Sequence, residues 1–253
     1  MGSSQTQLKF KKLKYQIHQF EGRLNKEQRY TNRLIEEKTL TVVSGKAGSG
    51  KTLVSCFSAL KKFADREIDN IVITRPTVST EDNGFLPGGI DEKLDPWVSP
   101  IHSCMKTVLK DTSQNPHTTN SLEMFEQLMS LGIVEIVPLT YMRGRTFTNS
   151  FVIVDEAQNL TMEQTMMVIS RIGIHSKMVI CGDLKQVDLR HPKDSGMYFL
   201  NNMEEDDLIG KVRLQENHRH QIVDSVLQKF ERMQTDDKLS KVLHLPNSYK
   251  KVV

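Results

Sequence analysis

A glycine-rich stretch directly after a short apolar run constrains the fold of this chain more than any other feature. The run at residues 40–43 is β-branched like a strand, and residues 51–64 have helical spacing. Between them the chain matches the pattern GxxxxGK[ST] in full. The matching residues are Gly45, Lys46, Ala47, Gly48, Ser49, Gly50, Lys51 and Thr52. Strand, glycine loop and helix in this order predict a P-loop, a backbone curl whose N–H groups surround phosphate oxygens.

The last two residues of the pattern indicate what the loop would bind. Lys51 is placed to reach the β- and γ-phosphates of a nucleotide, and the hydroxyl of Thr52 is placed to ligate Mg²⁺. The alternative is a plain glycine turn, which needs neither the lysine nor the hydroxyl. We therefore expect a Mg²⁺-nucleotide site here.

A second motif lies about a hundred residues further on. Residues 151–154 form an apolar run, and Asp155 and Glu156 follow it directly. Asp155 at the end of a strand can hold Mg²⁺, and Glu156 beside it can take a proton from an attacking water. The alternative is that both acids open the next helix, where first-turn carboxylates are common.

A third motif follows the apolar run at residues 178–181. Gln186, after the pair Gly182 and Asp183, carries an amide that can bond both a γ-phosphate and a water. In open α/β sheets ligands bind at the carboxyl ends of strands. Taken alone, a simple turn at Gly182 explains the same residues.

The rest of the chain alternates short apolar runs with helical stretches. This pattern predicts an α/β fold with a mostly parallel sheet covered by helices on both faces. The Pro- and Gly-rich residues 76–100 predict a long loop. No apolar run approaches the length of a membrane span, so we expect no membrane partner. Three unpaired cysteines favour a reducing, cytoplasmic location.

Charge is unevenly distributed along the chain. The net charge is +3, yet residues 1–33 contain eight basic and two acidic residues, and the remainder is net acidic. A basic N-terminal segment favours contact with nucleic-acid phosphates. A solvated helix face or a frayed terminus explains the same charges equally well.

Five ordered blocks, at residues 74–76, 84–96, 138–146, 154–159 and 182–188, closely resemble the PhoH-like ATPase family, which is related to the superfamily 1 helicases. The resemblance covers residues 24–232 and implies a RecA-like domain that hydrolyses ATP with Mg²⁺. Lys51, Glu156 and Gln186 would then be catalytic, and Thr52 and Asp155 would hold the metal. Residues 1–23 are a basic N-terminal extension, residues 233–253 are a tail, and we expect no PIN nuclease domain.

Four further residues are candidates for the nucleotide site. Gln28 lies in a segment that resembles the one from which related helicases supply a glutamine to the adenine edge. The alternative is an exposed glutamine on a helix. Arg143, Arg145 and Arg219 are candidates for the cation that stabilises phosphoryl transfer, supplied by a neighbouring subunit. The two loop arginines, Arg143 and Arg145, can instead bind nucleic-acid phosphates, and each of the three can instead form a structural salt bridge.

The expected function is ATP hydrolysis coupled to RNA or single-stranded DNA, with possible helicase activity. Because one core domain cannot build both walls of a helicase cleft, we expect a homo-oligomer. The resemblance implies that this oligomer is a ring of about six subunits. One alternative is a nucleotide-switched, nucleic-acid-binding or regulatory protein with little turnover. A small-molecule kinase is a further alternative, which Glu156 and Gln186 disfavour because they suit water as the acceptor.

Overall fold

The fold was analysed in a computed structural model of the chain. It describes residues 2–76, 90–110 and 121–216, and residues 222, 223, 225, 226, 229 and 232 beyond them. The predicted site residue Arg219, the block at residues 84–88 and the tail at residues 233–253 lie outside the described residues.

Six strands form one sheet in the order β3-β2-β4-β5-β1-β6. All five neighbouring pairs are parallel, as predicted. The strands are β1 Leu40–Gly45, β2 Asn70–Thr74, β3 Val134–Ile136, β4 Ser150–Val154, β5 Lys177–Gly182 and β6 Ile209–Leu214.

Eight α-helices are present in the described ranges. They are α1 Gly2–Glu21, α2 Lys26–Glu37, α3 Lys51–Ala64, α4 Ile90–Leu109, α5 Ser121–Ser130, α6 Leu139–Met142, α7 Met162–Ile169 and α8 Gly196–Asn202. Two short 3₁₀ helices lie at Ala157–Asn159 and Pro192–Asp194. Among the described residues, no helix is both long and apolar enough to span a bilayer.

The predicted loop at residues 76–100 is wrong over its second half, because α4 begins at Ile90. A proline inside a helix removes one backbone hydrogen bond, which is why the prolines predicted a loop. However, Ile101, Met105 and Val108 continue the helix with a fully buried apolar face. Packing of that face offsets the local cost, so tertiary contacts override the preference of the prolines.

Side chains of the central strands alternate between two apolar cores. On β4, Phe151 and Ile153 face the core that includes α3 and α4, whereas Val152 and Val154 face the core beneath α7 and α8. This alternation is the period of two that a strand imposes. Both faces of the sheet are therefore covered, as expected for an α/β fold with parallel strands.

The basic N-terminal segment is neither frayed nor wholly solvated. Its helix α1 buries Leu13, Ile17 and Phe20 in the core that contains α3. The ring of Phe20 lies 5.7 Å from that of Phe57 on α3, measured between centroids. An apolar stripe at helical spacing thus anchors α1 to the helix that begins at the P-loop, and only its opposite face remains in solvent.

Candidate active site

The loop between β1 and α3 has a backbone that requires glycine, as Gly50 and Gly45 show. Gly50, the N-cap of α3, has φ of 86°, in the left-handed region. At Gly45 an added Cβ would lie 2.6 Å from the carbonyl oxygen of Leu214. The loop therefore has the tight curl predicted from the motif, and it ends at the N-terminus of a 14-residue helix. Such a terminus favours anions.

The side chain of Lys51 lies back along the loop. Its Nζ donates to the carbonyl oxygens of Gly45, at 2.7 Å, and Lys46, at 3.0 Å. The hydroxyl of Ser49 is buried and has no hydrogen-bond partner in the part of the chain described. A phosphate group would give the ammonium a charged acceptor in place of two neutral carbonyls, and charged acceptors make stronger bonds. These residues fit an anionic ligand.

Thr52 and Asp155, the two predicted metal ligands, meet at the carboxyl edge of the sheet. The Thr52 hydroxyl donates to Oδ1 of Asp155 at 2.8 Å. Asp155 is only 3 % exposed, and burial, followed by the negative charge of Glu156, raises the pKa of its carboxyl group. A divalent cation at this pair would offset both effects, and hydroxyl and carboxylate oxygens are ligands that Mg²⁺ accepts. The pair therefore fits a Mg²⁺ site.

Glu156 lies next to this pair in a constrained position. Its φ of 52° is left-handed, which is uncommon for a residue with a side chain. Gln158 donates through Nε2 to one carboxylate oxygen at 2.6 Å. Nη2 of Arg75, at the end of β2, lies 3.7 Å from the other. The carboxylate is thus held from two sides at the carboxyl edge of the sheet.

Gln158 also connects Glu156 to the P-loop. Its Oε1 accepts from the backbone N–H of Asp183 at 3.1 Å, and the carboxylate of Asp183 accepts from the N–H of Ala47 at 3.1 Å. Gln158 is 1 % exposed. At Gly182 an added Cβ would lie 3.0 Å from Oε1 of Gln158. A chain of hydrogen bonds therefore links the general-base candidate to the phosphate loop.

The sequence did not assign roles to Arg75, Gln158 or Asp183. All three lie at the carboxyl ends of β2, β4 and β5, which are neighbours in the sheet. Their position after apolar runs was the available signal, because parallel strands end at one edge. The contacts among them could not be predicted from the sequence, because contacts between side chains that follow different strands leave no local pattern.

Gln186 lies on the turn after β5, next to the strand that leads into the P-loop. Its backbone N–H donates to the carbonyl oxygen of Asp183 at 2.9 Å, and its side chain is exposed. The backbone at Gln186 therefore forms the simple turn that was the alternative interpretation of this motif. Its predicted contact with a γ-phosphate stays a prediction.

Gln28 is buried, so the exposed-glutamine alternative is wrong. It is 5 % exposed and occupies the third position of α2, where its Oε1 accepts from the N–H of Asn25 at 3.2 Å. Such a capping box satisfies donors at a helix start. Nearby, Glu27 accepts from the N–H of Gln215 at 2.9 Å, which fixes the start of α2 against the end of β6. The capping box explains why the side chain of Gln28 is buried. Contact between Gln28 and an adenine base stays a prediction.

A cavity of about 400 Å³ opens where β6 ends beside the P-loop. It is lined by Lys46, Arg213, Leu214 and Gln215. Its position beside the phosphate loop suits the base or sugar of a nucleotide.

Arg145 forms the structural salt bridge that was one of its alternatives. Its two terminal nitrogens donate to the carboxylate of Glu135 on β3, at 2.8 and 2.7 Å. This bond holds the pKa of Glu135 below its ordinary value and raises that of Arg145. From β3 to β1 there are four strand spacings of about 4.8 Å, roughly 19 Å. Arg145 therefore cannot reach the P-loop of its own chain.

Arg143 differs from Arg145 because it is exposed and makes no ion pair with any described residue. It follows α6 on the loop between β3 and β4. Arg219 lies outside the described residues.

A complete P-loop follows β1, and an Asp-Glu pair follows β4, which is separated from β1 by one strand, β5. These features define the chain as a P-loop nucleotide-binding protein of the α/β class. The model of the PhoH family, described as PhoH-like protein, matches residues 22–231. The chain belongs to the PhoH-like family.

Three relatives illustrate the similarity. The chain is 36% identical over 210 residues to a PhoH-like protein of Synechocystis, covering 81% of this chain and 60% of the relative. It is 38% identical over 192 residues to a PhoH-like protein of Bacillus subtilis, covering 74% and 57%. It is 38% identical over 191 residues to Protein PhoH of Escherichia coli, covering 75% and 51%. The chain thus spans between half and three fifths of these relatives.

Solved helicase structures are more distant. The Pif1 helicase of Candida albicans shares 16% identity at a TM-score of 0.40, covering 86% of this chain and 46% of that one. Bacteroides Pif1 bound to single-stranded DNA shares 16% identity at a TM-score of 0.38, covering 81% and 45%.

Proposed function

We propose that this protein hydrolyses ATP in a Mg²⁺-dependent reaction. The observation that carries the proposal is the bond between Thr52 and Asp155 with Glu156 directly beside it. A hydroxyl at the start of the P-loop helix and a carboxylate at a strand end together supply metal ligands. A second carboxylate at the same place supplies a base for water.

Each residue has a defined role in this proposal. Lys51 leaves the loop carbonyls and binds the phosphate oxygens, and Thr52 and Asp155 hold Mg²⁺ directly or through water. The cation, when bound, neutralises charge that develops on the phosphoryl oxygens. Glu156 accepts the proton of the attacking water, and Gln186 orients that water and the γ-phosphate.

Phosphate release measured with Glu156→Gln tests this function. We expect turnover to fall by about 100- to 10,000-fold, the usual contribution of a general base, with ATP binding retained. Glu163→Gln, which changes an exposed carboxylate at the start of α7, is the matched control and should hydrolyse ATP like the wild type. Removal of Mg²⁺ with EDTA should stop the wild-type reaction. A wild type that binds ATP without releasing phosphate would instead be a nucleotide switch.

Coupling to RNA or single-stranded DNA, with helicase-like activity, is the second part of the proposal. The uneven charge supports it, because the whole of the net positive charge lies in residues 1–33. We expect single-stranded oligonucleotides to raise the ATPase rate at low salt. Equal rates with and without them, at low and moderate salt, would contradict the coupling and leave the ATPase standing.

We further propose a homo-oligomeric ring of about six subunits, in which a neighbour supplies an arginine to the ATP site. Arg143 suits this role better than Arg145, because it is exposed and unpaired among the described residues, and Arg219 remains a candidate. Size-exclusion chromatography with light scattering, in ATP and Mg²⁺, should give a mass of several subunits. A strict monomer under those conditions would refute the ring.

A further inference from the structure

Helices α1 and α2 display the same arrangement of basic and tyrosine residues on their solvent faces. In each helix two basic residues, a tyrosine and a further nitrogen-bearing side chain, His18 in one helix and Arg33 in the other, follow at helical spacing, and all of them are exposed. The first stripe consists of Lys11, Lys14, Tyr15 and His18, and the second stripe consists of Lys26, Arg29, Tyr30 and Arg33.

Each stripe lies opposite the face by which its helix packs. On α1 the buried side includes Ile17, and on α2 it includes Ile35, and both belong to the core that contains α3. Lys61 of α3 ties the two helices together, because its Nζ lies 2.8 Å from the carboxylate of Glu21 and 2.7 Å from that of Glu36. Both helices that carry the stripes therefore pack on α3.

Exposure of the two tyrosines is the less common part of this arrangement. Tyr15 is 53 % exposed and Tyr30 is 55 % exposed. Two exposed rings among basic side chains are available to stack on the bases of a ligand. The hydroxyl of Tyr15 accepts from Gln19 at 2.8 Å, which leaves the faces of the ring unaffected.

Few acidic groups compete for the cations of the stripes. Lys14 pairs with Asp65 at 3.0 Å, and His18 lies 3.8 Å from Glu21. These pairs are largely exposed, so water and salt screen them and phosphate groups can displace them. The second stripe makes no ion pair within the described part of the chain, and Glu37 is an exposed acid at its C-terminal end.

We infer that the two stripes form a binding surface for single-stranded nucleic acid, in which the cations contact phosphates and Tyr15 and Tyr30 stack on unpaired bases. A basic track that carries aromatic rings is the arrangement by which proteins bind single strands without reading sequence. The inference rests on the proposed coupling to nucleic acid and specifies where the strand lies. A membrane surface fits less well, because the stripes carry no aliphatic side chain to insert among lipids.

This surface is separate from the phosphate loop. Helix α1 packs on α3 and α4, whereas α2 packs on α3 and also contacts β1 and β6. In the hydrogen bonds and ion pairs of the described residues, no stripe residue contacts a P-loop residue. Substitutions in the stripes should therefore leave ATP hydrolysis without nucleic acid unchanged. Deleting residues 1–20 is a poor test, because it would also remove Leu13, Ile17 and Phe20 from the core.

The experiment is titration of fluorescein-labelled oligo(dT) and oligo(U) with the full chain, followed by fluorescence anisotropy. The variant Tyr15→Ala/Tyr30→Ala should bind about tenfold or more weakly, as expected from loss of two stacked bases. The matched control Tyr15→Phe/Tyr30→Phe keeps the rings and should bind like the wild type. Comparing oligo(dT) with oligo(U) distinguishes a preference for DNA from one for RNA. A duplex of equal length should bind more weakly, and its affinity should be the same for the wild type and the tyrosine variants.

A second pair of variants tests the charges. Arg29→Gln/Arg33→Gln should make the slope of log K against log salt shallower by about 1.4, because each phosphate contact on a single strand contributes about 0.7. Arg29→Lys/Arg33→Lys keeps both charges and should keep the slope. Thermal unfolding of every variant should match that of the wild type, because all the changed side chains are exposed.

Three outcomes would overturn the inference. The alanine pair could bind like the wild type, the arginine pair could leave the slope unchanged, or the stripes could prove to bind anionic vesicles of phosphatidylserine and phosphatidylcholine in place of oligonucleotides. ATPase assays without nucleic acid separate this result from the proposed function. If the protein hydrolyses ATP normally but the variants bind oligonucleotides like the wild type, only the proposed binding surface is refuted. If the protein does not hydrolyse ATP but its binding depends on the tyrosines, only the proposed ATPase activity is refuted.

Discussion

Two glycine-containing loops with basic residues occupy different parts of the same sheet. The P-loop follows β1, inside the sheet, where Asp155 and Asp183 from two other strands reach it. The loop at residues 143–146 lies beside the edge strand β3, where Arg145 meets one partner, Glu135. In the first case side chains from several strands converge on one loop. In the second case an arginine is already neutralised.

The difference shows what turns a motif into a site. A lysine and a run of glycines acquire a defined chemistry at the P-loop because buried carboxylates and amides are placed around them. An arginine paired in a bidentate salt bridge has two of its five N–H donors and its charge engaged by that partner, so it stabilises its surroundings first. The four changes below test the contrast, starting with the largest expected effect.

Loss of Lys51 should have the largest effect. Lys51→Ala removes the ammonium that lies on the P-loop carbonyls, and with it the charge that meets the phosphates. We expect phosphate release to fall by about 100- to 1,000-fold, as for loss of one preorganised charge-stabilising donor. Lys193→Ala, an exposed lysine beside α8, is the control. Turnover within twofold of wild type would mean that the loop does not bind the reacting phosphates.

Loss of Gln158 should have an intermediate effect on turnover and little effect on nucleotide affinity. Its amide orients the carboxylate of Glu156, and a hydrogen bond to a charged group contributes about 1.5 to 3 kcal/mol. Gln158→Ala should therefore lower kcat by about 10- to 100-fold. Gln158→Glu keeps the length but places a second negative charge beside Glu156, so it should not restore the rate. A change in KM alone would contradict a positioning role.

The parts of the fold and of the candidate site that depend on local patterns could be predicted from the sequence. Helix α3 has the bounds that the sequence predicted, because a glycine loop starts it and its apolar spacing continues to Ala64. Asp155 was placed correctly, since parallel strands end at one edge of a sheet. Gln158 and Asp183 were not paired, because the 3.1 Å bond between them joins two strands and depends on backbone positions that no local pattern encodes. The start of α4 was missed for a similar reason, since packing outweighed its prolines.

Loss of the carboxylate of Asp183 should weaken nucleotide binding. Asp183→Ala frees the N–H of Ala47 from its acceptor and loosens the P-loop before a ligand is present. One hydrogen bond contributes about 1 kcal/mol, so Kd for ATP should rise by about fivefold. Isothermal titration with Asp183→Asn provides the comparison, because the amide oxygen can still accept from Ala47. Equal affinity of both variants with the wild type would show that the loop holds its shape unaided.

Loss of Arg145 should have the smallest effect, confined to stability. The guanidinium pairs with Glu135 and lies 4.9 Å from the ring centre of Phe147, and both partners of the ion pair are well exposed. Arg145→Ala should therefore lower the free energy of unfolding by about 0.5 to 1 kcal/mol, and leave basal ATP hydrolysis unchanged. Urea unfolding measures the first quantity and phosphate release the second.

The pH dependence of that loss identifies its cause. Arg145 holds the pKa of Glu135 below its ordinary value of 4.5, so the pair stabilises the folded chain above that pH and loses its contribution as the pH falls through the lowered pKa. The difference in stability between wild type and Arg145→Ala should thus shrink in acid. A constant difference would assign it to the contact with Phe147. A large loss of turnover with unchanged stability would instead place Arg145 in a neighbour's site, and remove the contrast between the two loops.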